Sequence, residues 1–107
     1  MFKTIILDGK KIDLSANAAT IFRYKQVFGK DLLGILGNEQ RAEAEGIEAV
    51  TQLAYIMAKS AENADMNKLN YDEFIKWLED FEPMAFVDAA EDILSLYMDS
   101  SKATSTP

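Results

Sequence analysis

The chain has 107 residues, with 18 acidic and 11 basic side chains and a net charge of −7. That length allows one domain with a single core, and a hydrophobic fraction of 49% is typical of a globular protein. Cysteine and histidine are absent, which excludes disulfides, thiol catalysis, the common zinc sites and histidine-based triads. The negative charge disfavours general nucleic-acid binding, because a polyanion is repelled. No apolar run approaches the ~20 residues that span a membrane.

The first predicted element is a β-hairpin over residues 2–15, because two segments of alternating apolar and polar residues flank Asp8-Gly9-Lys10. We predict that Gly9 and Lys10 form the loop, since this register pairs apolar residues directly across the two strands. One face of the hairpin then carries Ile5, Leu7, Ile12 and Leu14. An isolated hairpin is marginal in water, so we expect helices to cover that face.

Three helical segments are predicted after the hairpin. Ser15 or Asn17 caps the first, in which apolar residues recur at helical spacing up to the stop signal Gly29. A short helical turn follows within residues 30–37, and the polar residues 38–45 are interpreted as a loop or a frayed helix start. The central helix is predicted from an apolar stripe that comprises Ile47, Val50, Ala54, Met57, Ala58 and Ala61.

Two more helices are predicted in the last third of the chain. Asn70 caps the first of them, and Glu73 three residues later completes a capping box. Its buried stripe is predicted to comprise Phe74, Ile75, Leu78 and Phe81, with Trp77 at the edge. Pro83 begins the final helix, residues 83–98, which is apolar around most of its circumference. One stripe of that helix comprises Val87, Ala90, Leu94 and Tyr97.

The expected fold is α+β and mainly α, an N-terminal β-hairpin followed by about four helices and a flexible C-terminal tail. Residues 1–99 are interpreted as a single domain, and the Ser/Thr-rich residues 100–107 as a disordered tail. Charge is uneven, since residues 62–107 hold 11 acids against 3 bases. We interpret this as two solvated faces, and the alternatives are head-to-tail contact between copies or a basic partner on the acidic half.

No group of residues indicates catalysis or metal binding. Residues 62–73 resemble an EF-hand loop that ends at Glu73, but Ala64 and Met66 stand where oxygen ligands are required, so calcium is not expected to bind. Adjacent carboxylates such as Asp72 and Glu73 point about 100° apart on a helix and do not converge on one substrate atom. The glycines lack the spacing of a phosphate-binding loop. We therefore expect no enzyme, no cofactor and no metal site.

The aromatic side chains are the most informative candidates for a binding site. A hairpin and four short helices enclose limited volume, so some rings are expected to stay exposed and, beside methionines, to form an adaptable patch. The candidate partner-binding residues are Tyr24, Phe28, Trp77, Phe81 and Phe86. Among them, Phe28 and Trp77 lie at the edges of apolar stripes and are predicted to anchor the border of the partner surface.

Four segments of the chain carry a more specific pattern. Residues 19–33, which contain the run RYKQVFGKDLL, directly follow the predicted hairpin. Residues 54–59, 74–81 and 93–97 come after them in order. Together these segments resemble the tail assembly chaperones of long-tailed phages and prophages of Gram-positive bacteria.

The resemblance implies a binding role in the host cytoplasm. Proteins of this family associate with the helical tape measure protein and with the tail tube protein, keep the former soluble, and are absent from the finished tail. The same partners, and self-association, are expected for this chain, with helical segments of the tape measure protein docked in a groove.

An acidic mimic is the alternative function, and an enzyme is a third class that the residues do not favour. An acidic inhibitor that mimics nucleic acid would align the carboxylates of residues 72–99 along one continuous surface. A small enzyme would need a convergent polar pocket, for which the sequence offers no residues. A chaperone would instead present an apolar groove rimmed by charge.

Overall fold

The computed structural model describes the backbone of residues 1–103 and the side chains of residues 1–98. An antiparallel hairpin of β1 (Phe2–Leu7) and β2 (Lys10–Ser15) precedes the helices. The helices are α1 (Thr20–Phe28), α2 (Leu32–Leu36), α3 (Glu39–Ala61), α4 (Tyr71–Leu78) and α5 (Ala85–Ala103), with a 3₁₀ turn at Met66–Lys68. The predicted mainly helical α+β architecture with an N-terminal hairpin is confirmed.

The hairpin presents its apolar side chains on one face, as predicted, but the predicted register is wrong. Ile5 pairs with Ile12 and Leu7 pairs with Lys10, so the loop begins at Asp8. Both loop residues have positive φ angles, 56° and 74°, as in a type I′ turn, whose twist matches that of the strands. The observed register differs from the predicted one by an even number of residues, so every side chain keeps its face and the apolar set is not split.

The loop of the hairpin is attached to the segment between α4 and α5. The Lys10 ammonium lies 4.8 Å from the centroid of the Phe81 ring and donates a hydrogen bond to the carbonyl oxygen of Asp80. The Asp8 carboxylate accepts a hydrogen bond from the backbone N–H of Glu82 at 3.1 Å. These contacts explain how a lysine is accommodated on the same face as the buried Leu7, which the predicted register avoided.

The helix α1 ends as predicted and begins differently. At its end, Gly29 adopts a φ of 69°, a left-handed conformation that favours glycine, and its N–H donates to the carbonyl oxygen of Lys25 at 2.7 Å. At its start, neither Ser15 nor Asn17 caps the helix. The Asn17 side chain instead accepts the N–H of Ala19 at 2.8 Å, so it shapes the turn that leads into α1.

The central helix α3 is longer and more deeply buried than predicted. Residues 38–45, interpreted as a loop or frayed start, are helical from Glu39 because the Asn38 side chain caps the helix by accepting the N–H of Arg41 at 3.0 Å. Residues 49–58 are all buried, whereas Ile47 of the predicted stripe is 48% exposed. The reason is that α3 contacts β2 and each of the other four helices, so its middle part has no solvent-facing side.

The helix α4 begins where the capping pattern predicted. The Asn70 side chain accepts the N–H of Glu73 at 2.9 Å. Phe74 is 2% exposed, but Ile75, predicted to be buried with it, is 39% exposed. Successive helical residues point about 100° apart, so a helix that packs against α3 on one side cannot bury both.

The last helix, α5, packs on α3 and β1 and buries Phe86, Ile93 and Tyr97. Val87, predicted in a buried stripe, is 42% exposed, so less of the circumference is covered than expected. The helix continues to Ala103, past the predicted end, and residues 104–107 of the predicted tail lie outside the described residues. Over residues 1–103, no helix combines the length and apolar character needed to cross a membrane.

Candidate functional site

The five predicted binding residues belong to one cluster of aromatic rings. The ring centroids of Tyr24 and Phe28 are 5.4 Å apart. Trp77, Phe81 and Phe86 form a triangle with centroid distances between 5.0 and 5.3 Å. The structure therefore brings these residues together in two groups, one on α1 and one that spans α4, the following loop and α5.

Two aromatic residues outside the predicted set join these groups. The Tyr55 centroid lies 6.1 Å from that of Phe28 and 5.3 Å from that of Trp77. Phe74 lies 5.3 Å from Phe28 and 5.5 Å from Tyr55, in edge-to-face contacts. Such aromatic pairs contribute ~0.5–1.5 kcal/mol each beyond the burial of their area. The cluster thus ties α1, α3, α4 and α5 together.

The cluster lies largely inside the protein. Tyr24 is fully buried and Phe86 is 7% exposed, so neither offers much area to a partner in this conformation. Phe28, Trp77 and Phe81 are partly buried and pack against the core. These three are the members of the predicted set that border the surface.

The two buried tyrosines of the cluster differ in hydrogen bonding. The Tyr24 hydroxyl donates to the side-chain carbonyl oxygen of the buried Gln52 at 2.8 Å. The buried Tyr55 hydroxyl has no hydrogen-bond partner among residues 1–98. Burial, with smaller contributions from Glu48 and Glu45, raises the pKa of Tyr24 to about 12, and burial is also the main cause that raises the pKa of Tyr55. Both phenols are therefore protonated at neutral pH.

This difference gives a matched pair of substitutions. Tyr24→Phe is expected to lower the free energy of unfolding by about 1–3 kcal/mol, because it leaves the Gln52 oxygen buried and unpaired. Tyr55→Phe removes a hydroxyl that makes no hydrogen bond, so it should leave stability unchanged or raise it. Urea unfolding of both variants measures the difference, and equal losses would contradict this assignment.

A surface groove, here called the β1–α5 groove, lies between the first strand and the last helix. Its upper part has a volume of about 440 Å³, and a second part of about 330 Å³ continues along the same elements towards the hairpin loop. Its apolar lining includes Ile5, Ile6, Ala89, Ile93 and Leu96. Ala89 and Asp92 line both parts, so the two parts form one continuous depression along α5.

The margin of the β1–α5 groove is exposed, partly apolar and acidic. Ile6 is 72% exposed, and Met84, which lines the lower part, is 55% exposed. The carboxylates that line the lower part are those of Asp8, Glu82, Asp88 and Asp92. Lys3 is the one basic residue in the lining within the described part of the chain, and it lies at the opposite end. The groove therefore combines an apolar floor with negative charge.

None of the five candidate binding residues lines this groove. A signal for it exists in the sequence, because Phe2 and Ile6 are apolar at positions that alternate with the buried face of the hairpin. Both are exposed on the outer face, at 62% and 72%. Apolar residues on both faces of one strand indicate that the outer face also packs against another surface.

Within residues 1–98, no three acidic side chains converge in a way that could hold a metal ion. Comparison with protein-family models, with curated proteins and with solved structures finds no match to this chain. The groove and the sequence resemblance are therefore the two observations that bear on function.

Proposed function

We propose that the protein is a phage tail assembly chaperone, which binds the tape measure protein and recruits the tail tube protein in the host cytoplasm, and that it is neither an enzyme nor part of the finished tail. The resemblance of residues 19–33 and of the later segments to that family supports the proposal. The observation that carries it is the β1–α5 groove, an apolar floor with an acidic margin.

The groove has the properties that such a role requires. A tape measure protein that waits for its tube exposes apolar segments, and these would associate with one another unless a partner covered them. An apolar floor can cover such a segment, and a partner with a net charge of −7 adds repulsion between the resulting complexes. An acidic mimic of nucleic acid would need a continuous surface of carboxylates, whereas this floor is apolar.

The contacts in the groove are also suited to reversible binding. Its lining is spread over β1, α5 and the segments next to them, and the most exposed apolar side chain in it, Ile6, stands at the margin instead of filling a deep pocket. Tube subunits must displace a chaperone, which favours many modest contacts over one deeply buried anchor. Under this proposal the partner is bound by many modest apolar contacts and by electrostatic attraction to the acidic margin.

Co-expression with the products of the neighbouring genes, among which a tape measure protein is expected, tests the proposal. The soluble yield of that protein should rise, and the two chains should co-purify at moderate salt if apolar contacts dominate. Ile6→Glu should reduce both effects, because it replaces an exposed apolar side chain of the groove lining by a charged one. The matched control is Phe22→Glu, on α1, where an equally exposed apolar residue lies outside the groove. An unchanged yield without co-purification at low salt would overturn the proposal.

A further inference from the structure

The outer edge of β1 is not covered by another strand. Within residues 1–103 the sheet consists of β1 and β2, so β1 has one neighbour. Leu7 and Lys10 close a two-residue loop and exchange hydrogen bonds, and hydrogen-bonded pairs alternate along an antiparallel ladder. The backbone groups of Phe2, Thr4 and Ile6 therefore point away from β2. No backbone hydrogen bond joins these three residues to another described element.

The β1–α5 groove follows this uncovered edge. It is lined by residues of β1 and α5 and, in its lower part, by the hairpin loop and the segment before α5, and no residue of β2 takes part. Ile5 and Ile6 point to opposite faces of the sheet, yet both line the groove. Two consecutive strand residues can do so where a groove runs along the edge of a strand, and not across one of its faces.

The charge of the groove identifies the chemistry of its occupant. Four carboxylates line the lower part without a basic residue among the described ones, so a lysine- or arginine-bearing segment is favoured there. A second copy of this chain is disfavoured, because the same edge of that copy carries the same carboxylates. The apolar floor requires that the segment also carry apolar side chains.

We infer that the β1–α5 groove binds an extended segment of the partner in which basic and apolar residues alternate, and that this segment adds to β1 as a third strand. The inference rests on the proposed function, since the groove is the same. Main-chain hydrogen bonds to Phe2, Thr4 and Ile6 supply affinity, and alternate side chains face the floor and the acidic margin. A docked helix, by contrast, would leave the strand edge without partners.

The probe is a short synthetic peptide in which lysine and valine alternate, labelled for fluorescence anisotropy. It should bind the full chain, and binding should weaken as salt is raised. Replacement of the peptide lysines by glutamate, or methylation of the peptide's backbone amides along one edge, should abolish binding. Equal binding of the glutamate peptide or of the methylated peptide would overturn the inference.

Thr4→Pro is the decisive variant, because it removes an outward-facing N–H while the inward hydrogen bonds of the hairpin remain. It should weaken peptide binding by at least about tenfold. Asp13→Pro is the matched control, since Asp13 is the cross-strand partner of Thr4 and either substitution affects their 2.6 Å side-chain hydrogen bond. Asp13→Pro should bind as the wild type does, and equal binding by Thr4→Pro would overturn the inference.

Two further measurements separate this inference from the proposed function. Hydrogen exchange of the Ile6 amide in the wild type should slow when the peptide binds, which tests strand addition even if Thr4→Pro does not fold. If the tape measure protein co-purifies equally well with Thr4→Pro, strand addition is wrong and the proposed function stands. If the peptide adds to β1 but the tape measure protein does not bind, the proposed function is wrong, and the inference that the groove binds an extended basic and apolar segment is retained.

Discussion

Phe74→Ala is expected to lower the free energy of unfolding by about 3–5 kcal/mol. Phe74 is 2% exposed, and its ring contacts those of Phe28, Tyr55 and Tyr71 at centroid distances of 5.3 to 5.8 Å. Truncation removes apolar burial, three aromatic contacts and the packing between α4 and α3, and it leaves a cavity that the surrounding rings cannot fill. Urea unfolding followed by circular dichroism measures the loss.

The neighbouring residue supplies the control for this prediction. Ile75 stands on the same helix and is 39% exposed. Ile75→Ala removes fewer carbons and little buried contact, and alanine favours the helix, so stability should change by less than about 1 kcal/mol. A loss as large as that of Phe74→Ala would mean that α4 packs through a different face.

Trp77→Ala is expected to cost about 3–5 kcal/mol and to loosen α5. Trp77 joins three parts of the chain, since its ring contacts Tyr55 on α3, Phe81 in the loop and Phe86 on α5. Loss of these contacts should speed hydrogen exchange along α5 more than along α1. Because α5 forms one wall of the β1–α5 groove, partner binding should weaken together with stability.

Trp77→Phe separates packing from direct contact. It retains an aromatic ring at the same position, so most of the stability and most of the binding should remain. The opposite pattern is also informative. If Trp77→Ala unfolds at the wild-type urea concentration but no longer binds its partner, then Trp77 is a surface contact and its assignment to the packed cluster is wrong.

The parts of the fold that follow from local chemistry were accessible from the sequence. Alternation predicted the shared apolar face of the hairpin, and Gly29 and Asn70 marked a helix end and a helix start through backbone conformation and capping. Each of these features depends on residues within one turn or one strand. That is why a single sequence contains the information.

The errors arise where distant parts of the chain meet. The predicted register kept Lys10 away from the apolar face, but its partners are Asp80 and Phe81, which no local pattern reveals. Ile75 and Ile47 have the spacing of buried residues and are exposed, because tertiary packing decides which side of a helix is covered. Local patterns give periodicity without saying which face has a neighbour.

In the candidate site, too, features of single residues were predicted and contacts between distant segments were not. The aromatic residues were found by type, and the structure places them in one cluster that is mainly interior. The β1–α5 groove was not found, because it exists only where β1 meets a helix that lies some 80 residues later in the chain. Ile6, an exposed apolar residue on the outer face of β1, is the sequence signal for it.

The attachment of the hairpin loop has a consequence for biosynthesis. Lys10 and Asp8 bond to groups that are 70 and 74 residues further along the chain. The ribosome makes the hairpin long before it makes those groups, and an isolated hairpin is marginally stable. The nascent chain can therefore pack β2 against α3 first, whereas the hairpin loop and β1 wait for their contacts until Glu82 and α5 have left the exit tunnel. We expect these residues to complete their folding only after α5 has been made, with sequence-distant contacts setting the pace.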